Sequence, residues 1–144
     1  MPRQVPVTSE EQRVRLTIPA KAEFVGLCRL ALAGLFRGRP IPDETLADLK
    51  LALTEACSNV VRHAYRGGSP GQVEILYRLQ DDRLVIEVMD EGEGFELGEP
   101  ALDGREFDES GLGLAIIRSL TDDVEVHDRQ DASGATLRFT KHLG

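Results

Sequence analysis

Apolar and polar residues alternate from Arg13 to Ile18, Arg-Val-Arg-Leu-Thr-Ile, a period of two that predicts a β-strand. Beyond Pro19 the period lengthens. Phe24, Leu27, Ala31 and Leu35 recur at helical spacing, and Gly38 with Pro40 and Pro42 ends that helix in a loop. A second helix begins near Asp43. On a wheel of about 100° per residue, Leu46, Leu49, Leu53, Ala56, Val60 and Ala64 fill one arc, while Asp48, Glu55 and Asn59 lie outside it. Asn59 lies at the edge, nearest Ala52 and His63. Gly67-Gly68-Ser69-Pro70-Gly71 closes this helix, and two alternating runs follow, Val73 to Leu79 and Leu84 to Val88, with Asp81-Asp82 as the turn of a hairpin. Residues Asp90 to Ser110 are acidic and rich in glycine, a loop too long to be a mere connector. Helix returns at Gly111 to Leu120, and Val124 to His127 and Ala135 to Thr140 read as two last strands.

This order places three helices against one mostly antiparallel sheet, a two-layer α/β sandwich. At 144 residues the chain fits one domain, residues 13–144, preceded by a loose polar segment, residues 1–12. A domain of this size buries roughly 70% of its unfolded surface and needs no staples. The formal net charge of −8 argues against a nucleic-acid surface, which needs a clustered basic face, and favours basic protein partners. Cys28 and Cys57 fall inside helical apolar patterns and form no close pair along the chain, so they read as core thiols rather than a zinc site or disulfide framework. No signal peptide opens the chain and no apolar stretch approaches the ~20 residues of a membrane span, so a soluble, cytoplasmic protein is expected.

Three segments carry candidate chemistry. Glu55 and Asn59 stand one helical turn apart on one face, a carboxylate able to take a proton beside a carboxamide able to help hold Mg2+ against phosphates. Alone they read more readily as polar residues on the wet flank of an amphipathic helix. Asp90-Glu-Gly-Glu-Gly94 puts an acid at a strand end, where it can accept a hydrogen bond from an exocyclic amine such as adenine N6; its plain reading is an Asp-rich turn. Ser110-Gly-Leu-Gly113 looks like a capped helix start with backbone amides open to an anion, or simply a helix that packs closely. The succession of helix, strand end and helix start, each suited to a different part of Mg-ATP, is more specific than any one of them.

That succession resembles the gyrase, heat-shock chaperone, histidine kinase and MutL (GHKL) ATPases. Glu55-Ala-Cys-Ser-Asn59 is similar to their N box, Asp90-Glu-Gly-Glu-Gly94 to their G1 box and Gly111-Leu-Gly113 to their G2 box. Within the superfamily the likeness is to the RsbW/SpoIIAB type of bacterial anti-sigma factor and serine-protein kinase, carried by Glu55 through His63-Ala-Tyr65 and by Glu109 through Val124. The resemblance implies a Bergerat-type ATP-binding fold with ATP and Mg2+ as cofactors and an ATP lid over about residues 95–110. It implies that Asn59 coordinates Mg2+, that Asp90 recognises the adenine amine, and that Gly92 and Gly94 let the base approach. Thr136 would share a water with Asp90, and Glu55 would be the general base that activates a serine hydroxyl. Ser110, Gly111, Leu112, Gly113 and Leu114 would line the phosphates, with Arg105 a contact from the lid. Implied partners are a sigma factor, an anti-anti-sigma protein of the STAS fold and a second copy in a homodimer, with no direct nucleic-acid or membrane contact. The lid is acidic: Glu96, Glu99, Asp103, Glu106, Asp108 and Glu109 face only Arg105, so most should point to solvent or a basic partner.

Rival designs fit poorly. Lys21, Lys50 and Lys141, the lysines of the chain, lie in no Gly-x-x-x-x-Gly-Lys-Ser/Thr loop and in no motif of ordinary protein kinases. A gyrase-like or MutL-like enzyme is expected to carry a transducer domain after the final hairpin, and the first helix holds no phosphoacceptor histidine. Two readings remain: a serine-protein kinase that also sequesters a sigma factor, and a nucleotide-gated regulator that binds its partner without efficient phosphorylation. Glu55 separates them, because a pure binder needs no base there.

Overall fold

The computed structural model describes residues 11–65, 71–90, 111–128 and 135–143. Strand β1 (Gln12–Pro19) leads through a short 3-10 turn (Ala22–Phe24) into helix α1 (Val25–Leu35) and helix α2 (Asp43–Tyr65). The hairpin is β2 (Gln72–Leu79) and β3 (Arg83–Asp90); helix α3 (Gly111–Leu120), β4 (Asp123–Asp128) and β5 (Ala135–His142) complete the described fold. The sheet order is β1-β2-β3-β5-β4 and every pairing is antiparallel, so β3 is the central strand. Three helices on one antiparallel sheet is the architecture the periodicity predicts.

The register sorts the side chains by face. Ile18, Val73, Ile75, Tyr77, Ile86, Val88, Leu137 and Phe139 are paired across strands on one side and are buried with Leu49, Leu53, Ala56 and Val60 of α2. Each large side chain enclosed there contributes about 1.5–3 kcal/mol. The opposite side is charged and laced with ion pairs, among them Arg15–Glu74 at 2.9 Å and Arg138–Glu125 at 2.6 Å. One wet face and one helix-covered face make two layers.

Three details differ from the sequence reading. The first strand starts earlier than Arg13: β1 begins at Gln12, and Glu11 accepts hydrogen bonds from Arg13 (2.8 Å), Arg78 (3.2 Å) and Gln80 (3.1 Å), while residues 1–10 lie outside the described residues. Helix α1 is apolar on nearly every side, so its spacing admits more than one phase. The structure buries Val25, Cys28 and Leu32 with Phe36 and leaves Leu27 45% exposed, while Phe24, Ala31 and Leu35 pack at the margin. Finally, the α1–α2 seam brings the thiols of Cys28 and Cys57 close enough to interact, a proximity that their distance along the chain conceals. Both are free and fully buried, and the nearby Cys28 thiol together with burial pushes the Cys57 thiol well up. Tyr77 locks the same seam to the sheet by donating its hydroxyl to the Cys28 carbonyl at 2.8 Å.

Candidate functional site

Helix α2 starts where Pro42 ends the loop, and Asp43 and Glu44 in its first turn complement the positive end of the helix dipole. Its apolar stripe faces the sheet and fixes its rotation, which decides where Glu55 and Asn59 point. Glu55 is half-buried. Asn59 is only 3% exposed, so it does not belong to a solvated flank. Its Oδ1 accepts a hydrogen bond from Arg62 Nη2 at 3.0 Å, and its Nδ2 is enclosed with no protein partner among the described residues. An unmet buried donor costs about 1–3 kcal/mol, and native proteins keep such groups where a ligand takes them up.

Helix α3 packs across α2 at this point. A Cβ built on Gly113 would stand 3.1 Å from Glu55 Oε1, 3.4 Å from Asn59 Nδ2 and 3.7 Å from Asn59 Oδ1. The two side-chain heads therefore converge on a backbone position left bare for them. Gly111, Leu112 and Gly113 are the first residues of α3, whose leading amides have no acceptor within the helix and carry its positive dipole end. A carboxylate, a buried carboxamide and a helix N-terminus thus share one small volume, an arrangement suited to a phosphate and its metal ion. Leu114 sits at the core margin.

Asp90 ends the central strand and is 1% exposed. Its register partner is Val73, one residue into β2, which also pairs with Ile18 near the end of β1. Just beyond β1, Ala20 donates to the Gly71 carbonyl at 3.0 Å and lines a cavity of about 830 Å3 with Lys21, Ala22, Glu23, Ser58, Val61 and Arg62. Asp90 and the Ser58–Arg62 turn of α2 are thereby held at the same end of the sheet.

Thr136 is not brought to that group. It pairs with Met89, the residue before Asp90, while Leu137 pairs with Val88. Asp90 shares the helix-covered face with Val88, so Thr136 points to the other face of the sheet. Gly92, Gly94, Arg105 and Ser110, with the expected lid, lie outside the described residues. Arg62 was missed by sequence reading; its signal is the three-residue step from Asn59, which places the two on adjoining helix positions. Among the described residues no three His, Cys, Asp or Glu side chains gather as a metal cluster, and no helix is long and apolar enough to cross a membrane.

A two-layer sandwich that gathers these groups at one end of its sheet is a nucleotide-binding domain in its design. The family model of the histidine kinase-like ATPase domain matches residues 18–141. The chain is 35% identical over 139 residues to the serine-protein kinase RsbW of Bacillus subtilis (strain 168), covering 90% of this chain and 85% of that one. To the serine-protein kinase RsbW of Bacillus pumilus (strain SAFR-032) it is 39% identical over 141 residues, with 90% and 85% covered. The crystal structure of the RsbU and RsbW domains of Rv1364c from Mycobacterium tuberculosis shares the fold, with a TM-score of 0.68 at 21% identity over 92% of this chain and 32% of that longer one. The protein belongs to the RsbW-type serine-protein kinases of the histidine kinase-like ATPase family.

Proposed function

We propose that this protein is an anti-sigma factor that binds a sigma factor and uses Mg-ATP to phosphorylate a serine of a STAS-domain anti-anti-sigma partner. The observation that carries the reading is the convergence of Glu55 Oε1 and the enclosed Asn59 carboxamide on Gly113. In this reading the Glu55 carboxylate takes the proton from the partner's serine hydroxyl as its oxygen attacks the γ-phosphorus. The bond to the bridging β-γ oxygen breaks, and ADP leaves with that oxygen. The amides of Gly111 to Gly113 receive phosphate oxygens, and buried Asp90 accepts a hydrogen bond from the adenine amine.

Asn59 fits Mg2+ through its enclosed carboxamide oxygen, the kind of ligand hard cations take, while its Nδ2, without a protein partner among the described residues, suits a phosphate oxygen as acceptor. Mg2+ held there with phosphate oxygens and water would offset charge on the transferring group. Gly92, Gly94, Ser110 and Arg105 are proposed to line the base and phosphates, and a homodimer is the proposed assembly. Thr136 is left out, because its face is turned away.

Reconstitution tests this. Purified protein, labelled Mg-ATP and a STAS-domain partner from the same organism should place label on a partner serine. Glu55→Ala should slow transfer by about 10^2–10^4-fold, the range for a lost general base, while leaving nucleotide binding intact. Transfer unaffected by that substitution would leave a nucleotide-gated binder as the better reading.

A further inference from the structure

The groups around Glu55 are ordered about the axis of α2. At about 100° per residue, Asn59, Glu55, Ser58 and Val61 follow one another round the helix in steps of about 40–60°, leading away from Gly113 of α3. Ser58 and Val61 end that sweep in the wall of the cavity of about 830 Å3, whose far side is the turn at residues 20–23 after β1. Glu55 therefore stands between the phosphate seat at Gly113 and this hollow. The sheet closes one side of α2 and α3 another, so a chain that brings a hydroxyl to Glu55 must cross the outer face of the helix, with the cavity beside it. The rim is charged. Lys21 and Arg62 outnumber the Glu23 carboxylate there, a local positive excess in a chain of formal net charge −8. Arg62 already donates to Asn59 Oδ1, so Lys21 is the exposed cation left to meet a partner. Its backbone is held on both sides, the amide by the Pro19 carbonyl at 2.7 Å and the carbonyl by the Phe24 amide at 3.0 Å.

We propose that this cavity seats the segment flanking the acceptor serine of the protein substrate, and that Lys21 is a specificity-determining residue that selects an acidic side chain in that segment. The inference rests on the kinase reading above, with Glu55 as its base, and names which acceptor that base is offered. A cation anchored beside the base attracts a carboxylate near the serine and repels acceptor loops of positive charge.

The test is steady-state phosphotransfer by the whole chain at saturating Mg-ATP, with the STAS-domain partner of the same organism as the varied substrate. Lys21→Glu should raise the KM for that partner about tenfold or more, with kcat and the KM for ATP close to wild type, because the lost contact is made equally in the ground and transition states. Lys21→Arg should keep the wild-type KM, and replacing the acidic residue nearest the acceptor serine by lysine in the partner should restore transfer by the Lys21→Glu enzyme. An unchanged partner KM in Lys21→Glu would overturn the proposal. So would a matching rise in the KM for ATP, which would make the cavity part of the nucleotide site. Calorimetry of the partner in the presence of ADP, where no transfer occurs, keeps this inference and the kinase reading apart. If the wild type binds the partner but labels no serine, the kinase reading falls, and a similar loss of affinity in Lys21→Glu still supports the docking seat; equal affinity removes both.

Discussion

At the scale of single residues, Gly113 is where shape and chemistry meet. Alanine suits a helix better than glycine by about 0.8–1 kcal/mol, so Gly113→Ala ought to stabilise α3. Its new methyl would stand 3.1 Å from Glu55 Oε1, however, and that flexible carboxylate is the atom that must give way. The expected result is a split: a thermal midpoint equal to or above wild type, with phosphotransfer reduced at least tenfold, since misplaced reacting groups cost rate steeply. A variant that keeps full transfer would show that Glu55 needs no fixed position. Residue-scale legibility was uneven for a physical reason. Glu55 and Asn59 were readable because one helical turn separates them, whereas the burial of Asn59 depends on α3, which arrives from far along the chain. Thr136 stands on the face of the sheet away from Asp90, which its strand propensity alone could not reveal, because in a strand one residue exchanges the faces.

Among the elements, the hairpin and α2 were plain in the sequence because their periods are unmixed and their ends carry turn residues. The phase of α1 was not, since an apolar residue stands on nearly every side and only the sheet and α2 choose among them. The same seam predicts a chemical property. Cys28 and Cys57 are fully buried, and the Cys57 thiol is pushed well up by its partner and by burial, so neither should react while the helices stay docked. Labelling with a thiol-specific disulfide reagent at pH 8 should be slower by about a thousandfold or more than in guanidinium, because it must wait for an opening of about 4 kcal/mol or more. Prompt modification of either cysteine in the native protein would mean that the seam opens easily.

For the whole molecule, acid is the natural stress. Arg13 first, then Gln80 and Arg78, hold the Glu11 carboxyl at about 2 against an ordinary 4.5, and Arg138 with His127 lowers Glu125 in the same direction. A carboxylate depressed by folding lends stability fully above its unfolded value and loses it as pH falls through its folded one. The thermal midpoint should therefore decline from about pH 4.5 toward pH 2. Glu11→Gln should lower the midpoint at pH 7 but leave it nearly unchanged at pH 2, flattening that slope. An identical slope in the variant would remove Glu11 from the account. The global topology was only partly legible: helix count and sheet class followed from element order, but no periodicity says that β5 inserts between β3 and β4.

That insertion has a consequence during synthesis. The central strand gains its second neighbour only from Ala135–His142, so a nascent chain that has just completed β3 carries a bare edge in the middle of its future sheet. Translation at about 5–20 residues per second keeps that edge open for a few seconds or more while the stretch from Glu91 to His142 is made. Throughout that interval the growing chain offers a template for pairing with its neighbours on the same messenger, and only the last strand withdraws it.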